Sequence, residues 1–241
     1  YEMLRSLVGS EMCIRDRLKI DKGKYGLKPV YDGKLLVDVL SLSVWSMLHA
    51  FISVAPWFLF FVAVEHLGKT ELAISNITRS VSAVFFVIVN SFAVTTGSLV
   101  SNAIGAGERR AVFIICRKIL RLGYSAGFPL IGVAVCYNRL IIGIYTDNEL
   151  LTEQAFIPFV VTLLNYTFAL PGYVYLNAVG GTGKTRITFL FQVTTTVVYL
   201  GYLYWLSACT HASLAIYLTA EYLFVILLAL QSVFYLRSKQ Y

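Results

Sequence analysis

Two ionisable side chains, Arg79 and Glu221, stand inside long apolar stretches of this chain. Charge in hydrocarbon is costly, so such groups face a bundle interior or a water-filled cavity and find partners there. Arg79 lies nine residues beyond Thr70, or about 13 Å along a helix rising 1.5 Å per residue. Glu221 lies roughly ten residues into its own stretch, within about one turn of the same depth when both stretches are entered from the same side. The sequence therefore predicts that they pair or share one aqueous cavity. A carboxylate so placed can exchange a proton or a metal cation, and a structural ion pair is the competing reading.

The remaining polar groups are weaker signals. His49 sits deep in an apolar stretch, where hydrogen-bonded packing competes with a proton relay. Glu65 and His66 fall at a stretch boundary and read as solvated. Asn76, Asn165, Tyr166, Tyr173 and Gln192 lie within apolar stretches. Their default role is helix–helix hydrogen bonding, and the alternative is the lining of a cavity for bulky, often cationic, organic molecules. GGTGKT at 180–185 invites a phosphate-loop reading. That pattern needs a glycine with four residues between it and Gly183, and the position holds Ala178. Cys13, Cys116, Cys136 and Cys209 are far apart and lack metal-ligand spacing, so no metal site and no cofactor is expected.

The elements that must position these groups are membrane helices. The chain has 241 residues, of which 58% are hydrophobic and 14% charged, and a mean hydropathy of +0.72. Soluble domains carry about 25% charged residues. Residues 39–64, 80–107 and 154–183 contain no Asp, Glu, Lys or Arg, and each exceeds the ~20 residues a helix needs to cross a bilayer. The pattern predicts an all-α membrane protein with spans at about 40–65, 71–98, 119–138, 153–177, 187–207 and 212–236. The net charge of +7 is not a nucleic-acid signal, because sixteen Lys and Arg fall in alternate loops and tails against two, Lys69 and Arg139, on the other side. The positive-inside rule then places both ends in the cytoplasm.

Residues 18–39 are polar and Lys-rich and read as a cytoplasmic loop. Residues 5–17, RSLVGSEMCIRDR, resemble a translated sequencing adapter, so 1–17 is set aside from fold reasoning. Thr70 is the expected N-cap of the second span. Residues 111–121 are expected to lie along the interface, and Thr146-Asp147-Asn148-Glu149 matches a capping box. Pro56, Pro129 and Pro171 each remove a helix hydrogen bond inside a span, and Gly123-x-x-x-Gly127 permits close helix approach.

Five stretches carry a family resemblance: WFLFFVAVEHLGKTELAISNITRS (57–80), NSFAVTTGSLVSNAIGAGE (90–108), IYTDNELL (144–151), NAVGGTGKTR (177–186) and TAEYLFVILLALQSVFYLRS (219–238). Together they resemble the C-terminal half of the multidrug and toxic compound extrusion (MATE) transporters, over about residues 30–241. The resemblance implies a six-transmembrane-helix bundle that forms one lobe of a twelve-helix, pseudo-twofold transporter in the plasma (bacterial inner) membrane. It implies antiport, with Na⁺ or H⁺ entering as an organic compound leaves. Its implied partners are the lipid bilayer, small organic substrates and an N-terminal six-helix lobe, without which alternating access fails.

Some members of the family place carboxylates at positions matching about Ser53 and Ala169. Glu221, with Arg79, is left as the coupling or cavity candidate in this half. Asn76, Asn165, Tyr166, Tyr173 and Gln192 are the substrate-cavity candidates. Three alternatives stand beside the exporter: a lipid-linked oligosaccharide flippase of the wider superfamily, a membrane ATPase, and a fragment without transport activity. Equilibrium dialysis of the purified chain against ATP should show no saturable binding; saturation would reinstate the phosphate loop at Gly180–Thr185.

Overall fold

The computed structural model describes residues 33–146, 148–209 and 213–238. The stretch 1–17 and the first part of 18–39 lie outside the described residues. Eight helices follow one another: α1 (Gly33–Glu65), α2 (Lys69–Gly105), α3 (Ala111–Cys136), α4 (Asn138–Gly143), α5 (Glu149–Leu164), α6 (Tyr166–Gly181), α7 (Thr185–Cys209) and α8 (Leu214–Ser238). Taking α5 and α6 as one broken span, six helical segments are long and apolar enough to cross a membrane. No strand occurs among the described residues. The protein is thus an all-helical, multi-pass membrane protein.

Several boundaries differ from expectation. Helix α1 begins at Gly33, inside the expected loop, because LLVDVL offers no breaker after that glycine. Helix α2 starts at Lys69 behind Gly68, with no side-chain cap, so Thr70 is not its N-cap. It also runs past residue 98, since nothing interrupts LVSNAI. Its end is a Schellman turn: Gly107 N–H donates to the Ile104 carbonyl and Glu108 N–H to that of Ala103, both at 2.9 Å. Gly107 has φ 84°, a left-handed conformation that favours glycine.

Residues 111–121 form the first turns of α3 instead of a separate interfacial helix. Val112, Cys116 and Ile119 are buried at helical spacing, while Arg117, Lys118 and Arg121 are exposed on the other side. The expected capping box resolves differently too. Asn148 is the N-cap of α5, accepting from Leu150 N–H at 3.0 Å and Leu151 N–H at 3.4 Å. Thr146 Oγ1 only accepts from Asn148 N–H, at 3.2 Å.

The fourth span is not one rod. It breaks at Asn165, between α5 and α6. Pro171 cannot donate to the carbonyl of Thr167, four residues back. The Tyr124 hydroxyl of α3 donates to that carbonyl at 2.7 Å. The backbone acceptor that proline frees is therefore satisfied from a neighbouring helix, which is how apolar surroundings tolerate such breaks.

Helix α6 is the central column, packed by α2, α3, α7 and α8. Small residues let the backbones approach. A Cβ on Gly172 would sit 2.7 Å from the Val225 carbonyl oxygen of α8, and one on Gly181 would sit 2.5 Å from that of Gly97 in α2. Gly123 and Gly127 of α3 are buried against Leu170 and Tyr166 of α6, as their spacing predicts. Gly172→Ala should lower the stability of the purified chain by about 1–3 kcal/mol through overpacking against a carbonyl that cannot rotate away. Gly132→Ala, with open space around the added carbon, should be neutral or slightly stabilising. Thermal unfolding in detergent separates the two, and equal melting curves would show that the α6–α8 contact is looser than its geometry.

Candidate functional site

Arg79 occupies the middle of the first half of α2. It is 5% exposed, so its charge must be met inside the bundle. A guanidinium nitrogen, Nη2, donates to Oε1 of Glu221 on α8. The second carboxylate oxygen, Oε2, accepts from the Asn165 side-chain amide at 3.3 Å. Asn165 is delivered there by the break between α5 and α6. The Arg79 guanidinium carbon lies 3.9 Å from the centroid of the Phe60 ring, 4.8 Å from Trp57 and 5.2 Å from Phe61. All three rings come from α1. Aromatic faces carry negative potential and attract a cation placed over them. The guanidinium is therefore held by a carboxylate from one side and by a ring cage from another.

A cavity of about 100 Å³ opens beside the pair. Asn165, Tyr166, Tyr173 and Tyr199 line it along with Arg79 and Glu221. Ser53 and Ala169 are on the same wall. An adjoining, larger cavity of about 510 Å³ lies between α1 and the faces of α2, α6 and α7, and His49, Asn90, Asn177 and Gln192 reach it. The two share Ser53, Trp57, Phe86 and Tyr173. Edge-to-face ring contacts, Trp57 on Phe86 at 6.5 Å and Phe86 on Tyr173 at 5.4 Å, form the wall between them. Formal charge in the smaller cavity is balanced, one cation against one anion, with two buried polar atoms, Arg79 Nε and Asn165 Oδ1, left without a partner.

The candidates named from sequence divide as follows. Arg79, Glu221, Asn165, Tyr166 and Tyr173 come together at the smaller cavity. The Tyr166 hydroxyl donates to the Gly123 carbonyl at 2.7 Å, so its polar end is engaged with α3. Gln192 is buried at the larger cavity, and its Oε1 has no partner. Asn76 is not brought to either cavity. It is exposed on α2, one turn before Arg79 and off the inward face that Ser75, Thr78 and Arg79 occupy. His49 lines the larger cavity, with Nε2 buried and unpartnered instead of hydrogen-bonded. Among the described residues no cluster of three or more His, Cys, Asp or Glu side chains could hold a metal.

Gly180–Thr185 is a helix-ending glycine turn. Gly183, at φ 80°, donates its N–H to the Gly180 carbonyl at 2.9 Å. The element before it is α6, whereas a phosphate loop follows a strand.

The sequence pattern of the MatE family matches residues 46–205, about two thirds of the chain. The chain belongs to the MatE family. It is also similar in fold to a solved MOP-superfamily transporter from Pyrococcus furiosus, with a TM-score of 0.73 and 16% identity. The similarity covers 84% of this chain but 45% of that one, so the MatE chain spans less than half the length of the transporter it resembles. The description of that structure reports a binding pocket of reversed polarity and suggests a different function for that transporter. No curated protein is matched in sequence.

The ring cage around Arg79 is a feature that sequence reasoning passed over. Trp57, Phe60 and Phe61 of this MatE chain recur at helical spacing on α1. That spacing signals one face, but aromatics in spans are common enough that only the position of Arg79 makes them a cage. Arg79→Ala should destabilise the chain by about 3–5 kcal/mol, because it leaves a carboxylate unpaired in apolar surroundings. Partial exposure of Glu221, 24% at the side chain, puts the cost at the low end. The double variant Arg79→Met with Glu221→Met should melt higher than either single one. Additive losses in detergent melts would mean that the two side chains do not depend on each other.

Proposed function

We propose that the chain is the C-terminal lobe of a cation-coupled multidrug efflux antiporter. In this reading it works in the plasma membrane with an N-terminal six-helix lobe, both ends in the cytoplasm. Na⁺ or H⁺ enters as an organic, often cationic, compound leaves by alternating access between the lobes. Glu221 is the coupling group, and Arg79 and Asn165 set its surroundings. The substrate occupies the larger, ring-lined cavity, where Tyr173 and Gln192 supply polar contacts.

The observation that carries this reading is the one carboxylate lining the smaller cavity, partly buried and paired with a guanidinium held among aromatic rings. Family membership makes transport, and not catalysis, the frame for it. A secondary transporter needs an ionisable group whose occupancy changes between its two open states. The flippase reading fits less well. A cavity for a lipid-linked pyrophosphate wants surplus positive charge, and here the Arg79 charge is already neutralised by Glu221.

In a full-length transporter containing this lobe, Glu221→Gln should reduce ion-driven uptake of a fluorescent organic cation into inverted vesicles at least tenfold. Membrane insertion and expression should hold. Undiminished ion-driven uptake would remove Glu221 as the coupling group.

A further inference from the structure

Buried hydroxyls in a membrane helix ordinarily donate back to a carbonyl of the preceding turn. Half of those among the described residues do: Thr78 to Ile74 at 2.7 Å, Thr96 to Phe92 at 2.8 Å, Thr162 to Pro158 at 2.9 Å and Thr188 to Thr185 at 2.7 Å. Ser75 of α2, Thr195 and Thr196 of α7 and Ser232 of α8 do not. Their hydroxyls are buried without a partner, as is Oε1 of Gln192. Exposure is 0% at Thr195 and Ser232, 1% at Gln192 and 7% at Thr196.

All of these but Ser75 lie on α7 and α8. On α7 the positions 188, 192, 195, 196 and 199 follow helical spacing and are all buried. The antiparallel register of α7 and α8 is fixed by three contacts. Phe191 meets Tyr235 with ring centroids 6.0 Å apart, Thr194 donates to Gln231 at 3.2 Å, and Tyr199 meets Phe224 at 5.6 Å. That register sets Ser232 opposite the turn from Gln192 to Thr195. Gln192 lies about 11 Å from the start of α7 and Ser232 about 9 Å from the end of α8, so both sit at one depth. At the inner end of the stripe, Tyr199 shares the small cavity with Glu221. At the other end stand Lys184 and Arg186.

An unpaired buried hydroxyl costs about 1–3 kcal/mol. Three such hydroxyls on neighbouring helices, with the Gln192 amide oxygen beside them at the larger cavity, are a poor way to fill an apolar interface and a good way to line water. We propose that the α7–α8 seam is a hydrated path joining Glu221 to the Lys184–Arg186 end of the bundle, through which the coupling cation passes. The hydroxyls and the amide oxygen hold water and offer neutral oxygens to a proton or an alkali cation in transit. Neutral ligands suit a path, since a charged one would trap its cargo. The proposal rests on Glu221 as the coupling group, but the wetness of the seam can be read without any transport.

The test is cysteine accessibility in membrane vesicles. Cys13, Cys116, Cys136 and Cys209 are first replaced by Ser or Ala, and Thr195→Cys, Thr196→Cys and Ser232→Cys are made singly. The probe is the membrane-impermeant trimethylammonium-ethyl methanethiosulfonate. Val197→Cys and Phe234→Cys, at exposed apolar positions, are the lipid-facing controls. The seam cysteines should react at least tenfold faster than the controls when the Lys184–Arg186 end faces the reagent, and not when it faces away. Slowing by Na⁺ but not by choline would identify an alkali cation as the traveller, and equal rates in the two salts would leave the proton. Rates no faster than the controls would overturn the proposal.

Thr195→Val with Ser232→Ala gives a second reading that needs no labelling. Loss of hydroxyls from a wet seam lowers the melting temperature, and loss from a dry one raises it. A labelled seam in a transporter whose Glu221→Gln variant stays coupled would defeat the coupling role of Glu221 and leave the path standing. An unlabelled seam with an uncoupled variant would defeat the path alone.

Discussion

A guanidinium inside an apolar bundle must be neutralised, and the structure around Arg79 follows from that constraint. Its Coulomb partner is Glu221 from α8, its polarisable shell is three rings of α1, and the far oxygen of the carboxylate is held by Asn165. Four segments that are distant in sequence are thereby tied at one depth. In such surroundings removing one partner costs far more than the pair contributes over apolar replacements. The pair is consequently better understood as a constraint on which helices meet than as a source of stability.

Asn165 meets the carboxylate from the point where the fourth span is interrupted, with its own backbone still helical at φ −56° and ψ −26°. Pro171 leaves the Thr167 carbonyl without its helix donor and Tyr124 of α3 supplies one, while Tyr166 of α6 donates in turn to the Gly123 carbonyl of α3. Close approach of α6 to its neighbours depends on glycine at 172 and 181, where side chains would meet backbone carbonyls. The polar geometry of the site and the small-residue packing of the core are thus one design: α6 can carry site residues on several faces because it has neighbours close on several faces.

The spans, their number and the depth of Arg79 and Glu221 were legible in the sequence because hydrocarbon imposes a length and forbids unpaired charge. Helix ends were less legible. Thr70 and Thr146 have the right chemistry for caps, yet Gly68 and Asn148 take those places, since the cap is decided by where the chain leaves its turn. Asn76 illustrates a subtler limit. It stands one turn from Arg79 and looks equivalent in composition, but with Ser80 it falls on the small exposed side of a turn whose other residues are buried. The cage rings and the unpartnered hydroxyls of α7 were illegible for a related reason. Their meaning depends on what stands opposite, which periodicity along a single helix does not contain.

The positions matching the carboxylates of some family members, about Ser53 and Ala169, add a last constraint. Both line the cavity that holds Glu221. Neither position carries an acid here, and the carboxylate of that cavity comes from α8, paired with a guanidinium. A carboxylate alone presents four lone-pair sites to a cation. Here one oxygen is engaged by Arg79 and the other by Asn165, so an arriving cation meets an acid already surrounded by donors. In the proposed antiport, cation binding at Glu221 would require its contact with Arg79 to loosen, and the ring cage of α1 would hold the guanidinium when it does. Movement of α1 relative to α8 would then change the charge that Glu221 presents, which couples the state of the acid to the spacing of the two helices.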